Sequence, residues 1–448
     1  MDLLEKIFDA GIVGAGGAGF PTHIKLNCSV EYLIVNGAEC EPLLETDKYL
    51  MRTEGHKIIK AMEEVAKKIQ AKKLIIGLKA KYKEEIKALK RTIEELNSKV
   101  ELFLLDNFYP AGDEQILVYE ITKRSIPPSG IPLDVGVVVS NVGTLVNIYE
   151  AINEKPVIDK YVTVIGEIKK PCILKVPIGT SVDQCIKAVG DTLIDDYAVI
   201  LGGPMMGNII YKEETQKEFI TKTIGALIII PREHYIVERK ELPIKHIINR
   251  AKTSCIQCSM CTDMCPRNLI GHKLRPHRIM RSIGMSEGNE NILMEALICC
   301  ECGVCELYAC PMGLSPRRMN IYLKDELRKK GVRYKKEQGI TSAKEIREYR
   351  KIPVNRLISR LGLSKYKGIS IDGPFEVKSH RVHIPLKQCI GKPSNPVVSV
   401  GDMVSRGQII GKVHRGQIGA NVHSSIDGKV CEVSDYVVIQ SDDNEVIS

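Results

Sequence analysis

Two runs of cysteine, Cys255-x2-Cys258-x2-Cys261-x3-Cys265-Pro266 and Cys299-x2-Cys302-x2-Cys305-x4-Cys310-Pro311, constrain this chain more than any other feature. Three thiolates two residues apart can wrap one face of an iron–sulfur cube from a tight turn. A fourth, three residues on, starts a helix that points away, and in two-cluster proteins it ligates the neighbouring cluster. The spacing therefore predicts two [4Fe–4S] clusters, one held by Cys255, Cys258, Cys261 and Cys310, the other by Cys299, Cys302, Cys305 and Cys265. The second run is one residue longer in its last gap, so a loop or bulge must absorb the extra residue, and Cys300 is a spare thiol that could substitute. Paired Cys-x2-Cys units also make zinc sites, but zinc pairs are usually separated by a loop rather than stacked three deep and followed by Cys-Pro.

Nine of the 15 cysteines fall between Cys255 and Cys310, and the first ten residues carry acids where a signal peptide would be basic and apolar. Metal-bound thiolates in a reducing cytoplasm are the better reading than a disulfide framework. Cys28, Cys40, Cys172, Cys185, Cys389 and Cys431 are expected to be small buried hydrophobes. No apolar run is long enough to span a bilayer, so no membrane insertion is expected.

At 448 residues, with 44% hydrophobic and 27% charged residues, several folded domains are expected. Residues 1–155 alternate short apolar runs (Tyr32–Asn36, Lys73–Leu78, Val100–Leu105, Val135–Ser140) with amphipathic helices over Arg52–Gln70 and Lys81–Leu96, the texture of an α/β domain. Residues 156–235 suit a small β-grasp module, and 245–335 a helical cysteine-rich domain resembling ferredoxins. Pro353 to about Pro374 reads as a linker. The segment 375–448 is all short strands with glycine turns; Val398–Lys412 followed by Ser425–Val430 resembles the barrel-sandwich hybrid, or lipoyl-like, fold. Its hairpin tip, Ala420–Ile426, offers no lysine for a swinging arm.

The net charge of +9 is uneven: Arg317 to Lys351 holds 13 Lys or Arg against 5 Asp or Glu. A solvated helix face is the ordinary explanation of such a run. An iron–sulfur protein that binds nucleic acid is the rival from another class, but with no Trp and six Phe there is little to stack on bases.

Gly14-Ala-Gly16-Gly17-Ala-Gly19 satisfies G-x-G-x-x-G, yet it follows a short amphipathic helix rather than a strand, against a Rossmann site. Together with Asn36-Gly-Ala-Glu-Cys-Glu41-Pro, Gly112-Asp-Glu114, Asn141-Val-Gly-Thr144 and Gly202-Gly-Pro-Met-Met-Gly207, the loop resembles the flavin- and NADH-binding subunit of respiratory complex I. It is more similar still to the RnfC-like family, above all to its PduS cobalamin reductase branch from propanediol-utilisation microcompartments. RnfC proteins carry the barrel-sandwich element before the flavin domain, whereas PduS-like chains begin with the glycine loop and end with that element, as here.

The resemblance implies a fold of four parts: a complex I-like α/β flavin domain, an SLBB-type β-grasp module, a dicluster insert and a C-terminal all-β barrel-sandwich hybrid. It implies that Gly14, Gly16, Gly17, Gly19 and Lys25 hold the FMN phosphate and ribityl chain, with Asn36, Asn141 and Thr144 near the flavin. Glu41 and Glu114 would lie beside the nicotinamide of NADH, and Phe20 would stack on its adenine. Ala38 and Ala15 depart from the complex I protein, which has an acid and an arginine there. The implied activity is an NADH-dependent cobalamin reductase, an oxidoreductase that takes cob(III)alamin or cob(II)alamin as substrate and uses no side chain as acid or base. The implied partners are a cobalamin adenosyltransferase or another acceptor protein, and the shell of a microcompartment if the chain resides in one. An RnfC-type subunit of a membrane electron-transport complex, or a carrier to another reductase, are the rivals built from the same parts.

Overall fold

The computed structural model describes residues 2–283, 290–335 and 342–441. Residues 336–341 of the basic run and 442–448 of the C-terminal segment lie outside the described residues.

In the N-terminal part four parallel strands stand in the order Glu101–Leu105, Lys73–Lys79, Tyr32–Asn36, Val137–Asn141. Their near-continuous apolar runs reflect burial on both faces. Leu33 and Val35 join one core with the helix Gly55–Ile69, while Ile34 joins another with Ile116, Leu117 and Val118 of the helix Glu114–Thr122. The strand order reverses between the Tyr32 and Val137 strands, and open α/β sheets bind ligands beyond the carboxyl ends of strands at such a point. The helix expected over Arg52–Gln70 is two, Thr46–Thr53 and Gly55–Ile69, with a break at Glu54.

The second part is a six-stranded mixed sheet in the order Asp372–Glu376, Cys172–Pro177, Asp159–Gly166, Ala226–Pro231, Tyr197–Leu201, Asn208–Tyr211. Its first strand comes from the expected linker, which the structure corrects. Val354, Leu357, Ile358 and Leu361, at helical spacing, are buried on and beside the helix Val354–Arg360, and the chain then adds an edge strand to this sheet. Pro353 opens that helix as its N-cap rather than breaking order.

The cysteine-rich part is built of short helices between Ile244 and Lys329. The extra residue between Cys305 and Cys310 is absorbed by a π-helical turn over Val304–Tyr308, a device that inserts one residue without ending the helix. Two antiparallel sheets then make the C-terminal part, one from Arg381–Pro385, Tyr436–Gln440, Gly428–Val433 and Met403–Val404, the other from Asn395–Pro396, Ile409–Lys412 and Val422–His423. Among the described residues no helix is long and apolar enough to cross a membrane.

The basic run is only partly a solvated face. Arg347 is buried in an ion pair with Glu120, and the Lys324 ammonium donates to the Cys299 carbonyl at 2.7 Å. Of the six remaining cysteines, Cys172 and Cys185 are buried as expected. Cys28, Cys40 and Cys389 are half-buried, and Cys431 is exposed at the bulge where the Gly428–Val433 strand shifts register against Tyr436–Gln440.

Candidate functional site

A cavity of about 1770 Å³ opens at the switch point of the parallel sheet. Single-ligand pockets are ordinarily about 300–1,000 Å³, so this one has room for two ligands side by side. Of the residues expected near flavin and NADH, Gly14, Gly16, Gly17, Phe20, Lys25, Asn36, Glu41, Glu114, Asn141 and Thr144 all line it.

The glycine loop is pinned at its neck by the Gly14 N–H, which donates to the Phe20 carbonyl at 2.9 Å. It lies over the start of the helix Val142–Ile152, where the Ala15 N–H donates to the Thr144 hydroxyl at 3.0 Å. A Cβ on Gly17 would meet nothing, and one on Gly16 would approach Asn141 at 3.4 Å, so the loop leaves its backbone open to the cavity. Gly19 turns elsewhere: its carbonyl accepts from the Ile390 N–H at 3.0 Å, tying the loop to the C-terminal part. Lys25 and Glu114, assigned by resemblance to different ligands, pair with each other at 2.8 Å.

Glu41 accepts from the Met205 N–H at 2.8 Å with one oxygen, while its other, Oε1, is buried without a partner. Burial pushes its carboxyl up to about 7. A buried acceptor left open at a cavity wall is a ready contact for a ligand donor.

Sequence reasoning missed several residues. Asp47 accepts from the Asn141 side-chain amide at 2.7 Å, and burial raises its carboxyl to about 6. The Lys160 ammonium donates to the Ala15 carbonyl at 3.0 Å, and burial lowers it to about 8. Both line the cavity, as do Glu39 and Cys40. Glu39 and Cys40 sit inside the Asn36–Pro42 motif, whereas Asp47 and Lys160 come from separate segments without one; the only signal for Lys160 was a lysine near the start of an otherwise apolar strand.

Cys302 lines the same cavity. The Tyr109 hydroxyl, from the cavity wall, donates to the Cys302 carbonyl at 2.7 Å. The Arg267 guanidinium clasps both oxygens of Asp113 at 2.8 and 3.0 Å, and Asp113 in turn caps the helix Glu114–Thr122. The cysteine-rich part is thus bolted to the cavity floor.

The thiols form two groups. Cys255, Cys258, Cys261 and Cys310 border one small cavity, and Cys265 lies near Cys299, Cys302 and Cys305, with the spare Cys300 among them. The fourth cysteine of each run therefore sits with the other run. Both loops share a backbone pattern: Gln257 and Ser259 in the first, Glu301 and Gly303 in the second, have left-handed φ of 56°, 61°, 61° and 79°. Those two reversals turn successive cysteines inward. Backbone N–H groups of Glu301 and Leu314 point at the sulfurs of Cys299 and Cys310 at 3.4 and 3.3 Å. Burial raises the thiols of Cys261, Cys265 and Cys305, Cys261 to about 12, a cost that coordinated iron reverses by deprotonating its ligands. Each group offers at least four thiols, one for each iron of a four-iron cluster.

A cobalamin reductase PduS of Citrobacter freundii is 40% identical over 436 residues, 97% of this chain and 95% of that protein. The chain belongs to the PduS family. Four family models match this PduS-family chain in order: the Nuo51 FMN-binding domain at residues 7–150, the SLBB domain at 161–208, the 4Fe-4S dicluster domain at 254–315 and the RnfC barrel sandwich hybrid domain at 364–448. One component of the Na(+)-translocating ferredoxin:NAD(+) oxidoreductase complex of Acetobacterium woodii is 34% identical over 275 residues, 60% of this chain and 58% of that component. Among solved structures, an NAD+-reducing [NiFe]-hydrogenase in the H2-reduced state superposes with a TM-score of 0.51 at 20% identity, covering 72% of this chain and 62% of that one, a likeness of fold alone. The PduS-family chain is an oxidoreductase with the domains of a flavo-iron–sulfur electron-transfer protein.

Proposed function

We propose that the chain carries electrons from NADH, by way of FMN and two [4Fe–4S] clusters, to cob(III)alamin or cob(II)alamin. The observation that carries this reading is that Cys302 and the glycine loop line one cavity. A bound flavin would supply what NADH and an iron cluster lack between them, acceptance of two electrons together and their release one at a time.

The chain's own residues bind, orient and insulate. The open backbone of Gly14, Gly16 and Gly17 and the Lys160 ammonium would hold the flavin, with Asn36, Asn141 and Thr144 fixing its edge. Glu41, with its unpartnered oxygen, and Glu114 would face the nicotinamide, and Phe20 the adenine. Cys255, Cys258, Cys261 and Cys310 would ligate one cluster, and Cys265, Cys299, Cys302 and Cys305 the other. The similarity to PduS along nearly the whole chain supports a corrin substrate, an adenosyltransferase as downstream partner, and a cytoplasmic or microcompartment location.

Anaerobic purification with iron, sulfide and flavin analysis, followed by NADH-driven reduction of aquocobalamin, tests this function. About eight irons and one FMN per chain are expected. Fewer than about six irons would end the two-cluster assignment, and cluster reduction without corrin reduction would make the chain a carrier to another reductase.

A further inference from the structure

The two thiol groups differ in exposure. Cys302 borders the inner cavity, whereas Cys258 of the other group is exposed. Ile256 is 61% and Met312 38% exposed, and both border the small cavity ringed by Cys255, Cys258, Cys261 and Cys310. Two large apolar side chains thus frame the place where this group reaches the surface.

The chain that carries three of these four cysteines is strongly basic. Residues 244–283 hold eight Lys or Arg and one Asp. Arg267 and Arg275 are spent on Asp113 and Glu295, and Asp263 is held by the Ser259 hydroxyl at 2.8 Å. Lys245, Lys252, Lys273, Arg278 and Arg281 remain exposed. Arg250 donates to the Met312 carbonyl at 3.2 Å, which sets a guanidinium on the apolar lip itself. Among the described residues, the exposed acids nearest in the chain are Glu241 and Glu290.

We propose that this face docks a protein electron acceptor whose own redox centre is ringed by Asp and Glu. The proposal rests on the function proposed above. A small apolar contact inside a charged rim is the design of a transient redox interface, in which electrostatics speeds encounter and the bare centre lets the redox groups approach. Residues 244–283 contain no Phe, Tyr or Trp, so nucleic acid would find charge there but nothing to stack on. Each NADH oxidised to NAD+ releases a proton and two electrons, which reduce two one-electron acceptor proteins.

Holoprotein reduced by NADH is mixed with cytochrome b5, an acidic haem acceptor, or with cytochrome c, a basic one. Cytochrome b5 should be reduced faster at low salt, and carbodiimide should cross-link it to Lys245, Lys252 or Lys273. The double variant Lys252→Glu, Arg278→Glu should slow it at least tenfold and favour cytochrome c, while NADH still bleaches the clusters. The control Lys83→Glu, Lys87→Glu, on a distant exposed helix face, should change neither rate. Normal bleaching with unchanged cytochrome rates in the Lys252, Arg278 variant would overturn the proposal, as would loss of duplex-DNA binding alone. Absence of bleaching in the unmodified protein would instead overturn the function it rests on.

Discussion

Asn36 and Asn141 are register partners at the last positions of two adjacent parallel strands, each using its side chain to organise the loop that follows. The Asn36 amide donates to the Gly112 carbonyl at 2.8 Å. Asn141 accepts from the Gly143 N–H at 2.8 Å, capping a helix, and donates to Asp47 at 2.7 Å. Replacing Asn141 by Ala should cost about 1–2 kcal/mol through the lost cap and leave the Asp47 carboxylate without its donor. Thermal denaturation of the apoprotein checks the first effect. Titration with FMN checks the second, with weaker binding expected.

Glu41 makes stability depend on pH. Its native carboxyl titrates near 7, against an ordinary value of 4.5, because burial disfavours the charge. Between those values the folded state binds more protons than the unfolded one, so this contribution falls as pH rises from about 4.5 to 7. Glu41→Gln should remove that slope, gaining roughly 1–3 kcal/mol on wild type at pH 8 relative to pH 4.5. Urea melts of both apoproteins at the two pH values measure it; parallel curves would contradict the burial argument.

The Arg267–Asp113 pair joins the cysteine-rich part to the cavity floor in a setting where both side chains are largely buried. Removing one partner of a buried pair leaves the other uncompensated, at about 3–5 kcal/mol. Arg267→Ala should show that loss in denaturant. In holoprotein that still folds, it should slow NADH-driven cluster bleaching more than reduction of the flavin itself, which stopped-flow absorbance separates.

Cys300 and Cys302 are two residues apart and both face Cys265, but only Cys302 holds the place in the Cys-x2-Cys-x2-Cys spacing that Cys258 holds in the other run. Cys302→Ser should lower the iron content from about eight to about four per chain, whereas Cys300→Ser should keep about eight. Equal losses would mean that Cys300 serves as a ligand.

Much of the fold is legible in the residues where the signal is local. Strands buried on both faces announce themselves as continuous apolar runs, so Tyr32–Asn36 reads at its observed limits. The longer gap before Cys310 requires an accommodation that the π turn supplies. What stays hidden depends on partners remote in sequence. Nothing near Lys160 points to Ala15, 145 residues earlier, nor does Arg347 point to Glu120, 227 residues away. The helix Val354–Arg360 reads as linker because it is short and flanked by Pro and charge, and its apolar stripe matters only against the core it meets.

The barrel-sandwich part reaches back across the molecule to the beginning of the chain. Lys222, buried, donates to the carbonyls of both Gly11 and Asn421 at 2.7 Å, and the Ile390 N–H holds Gly19. During synthesis the glycine loop is made hundreds of residues before the segment that braces it. The loop therefore gains this brace only after the later segment has been made and has folded back onto it.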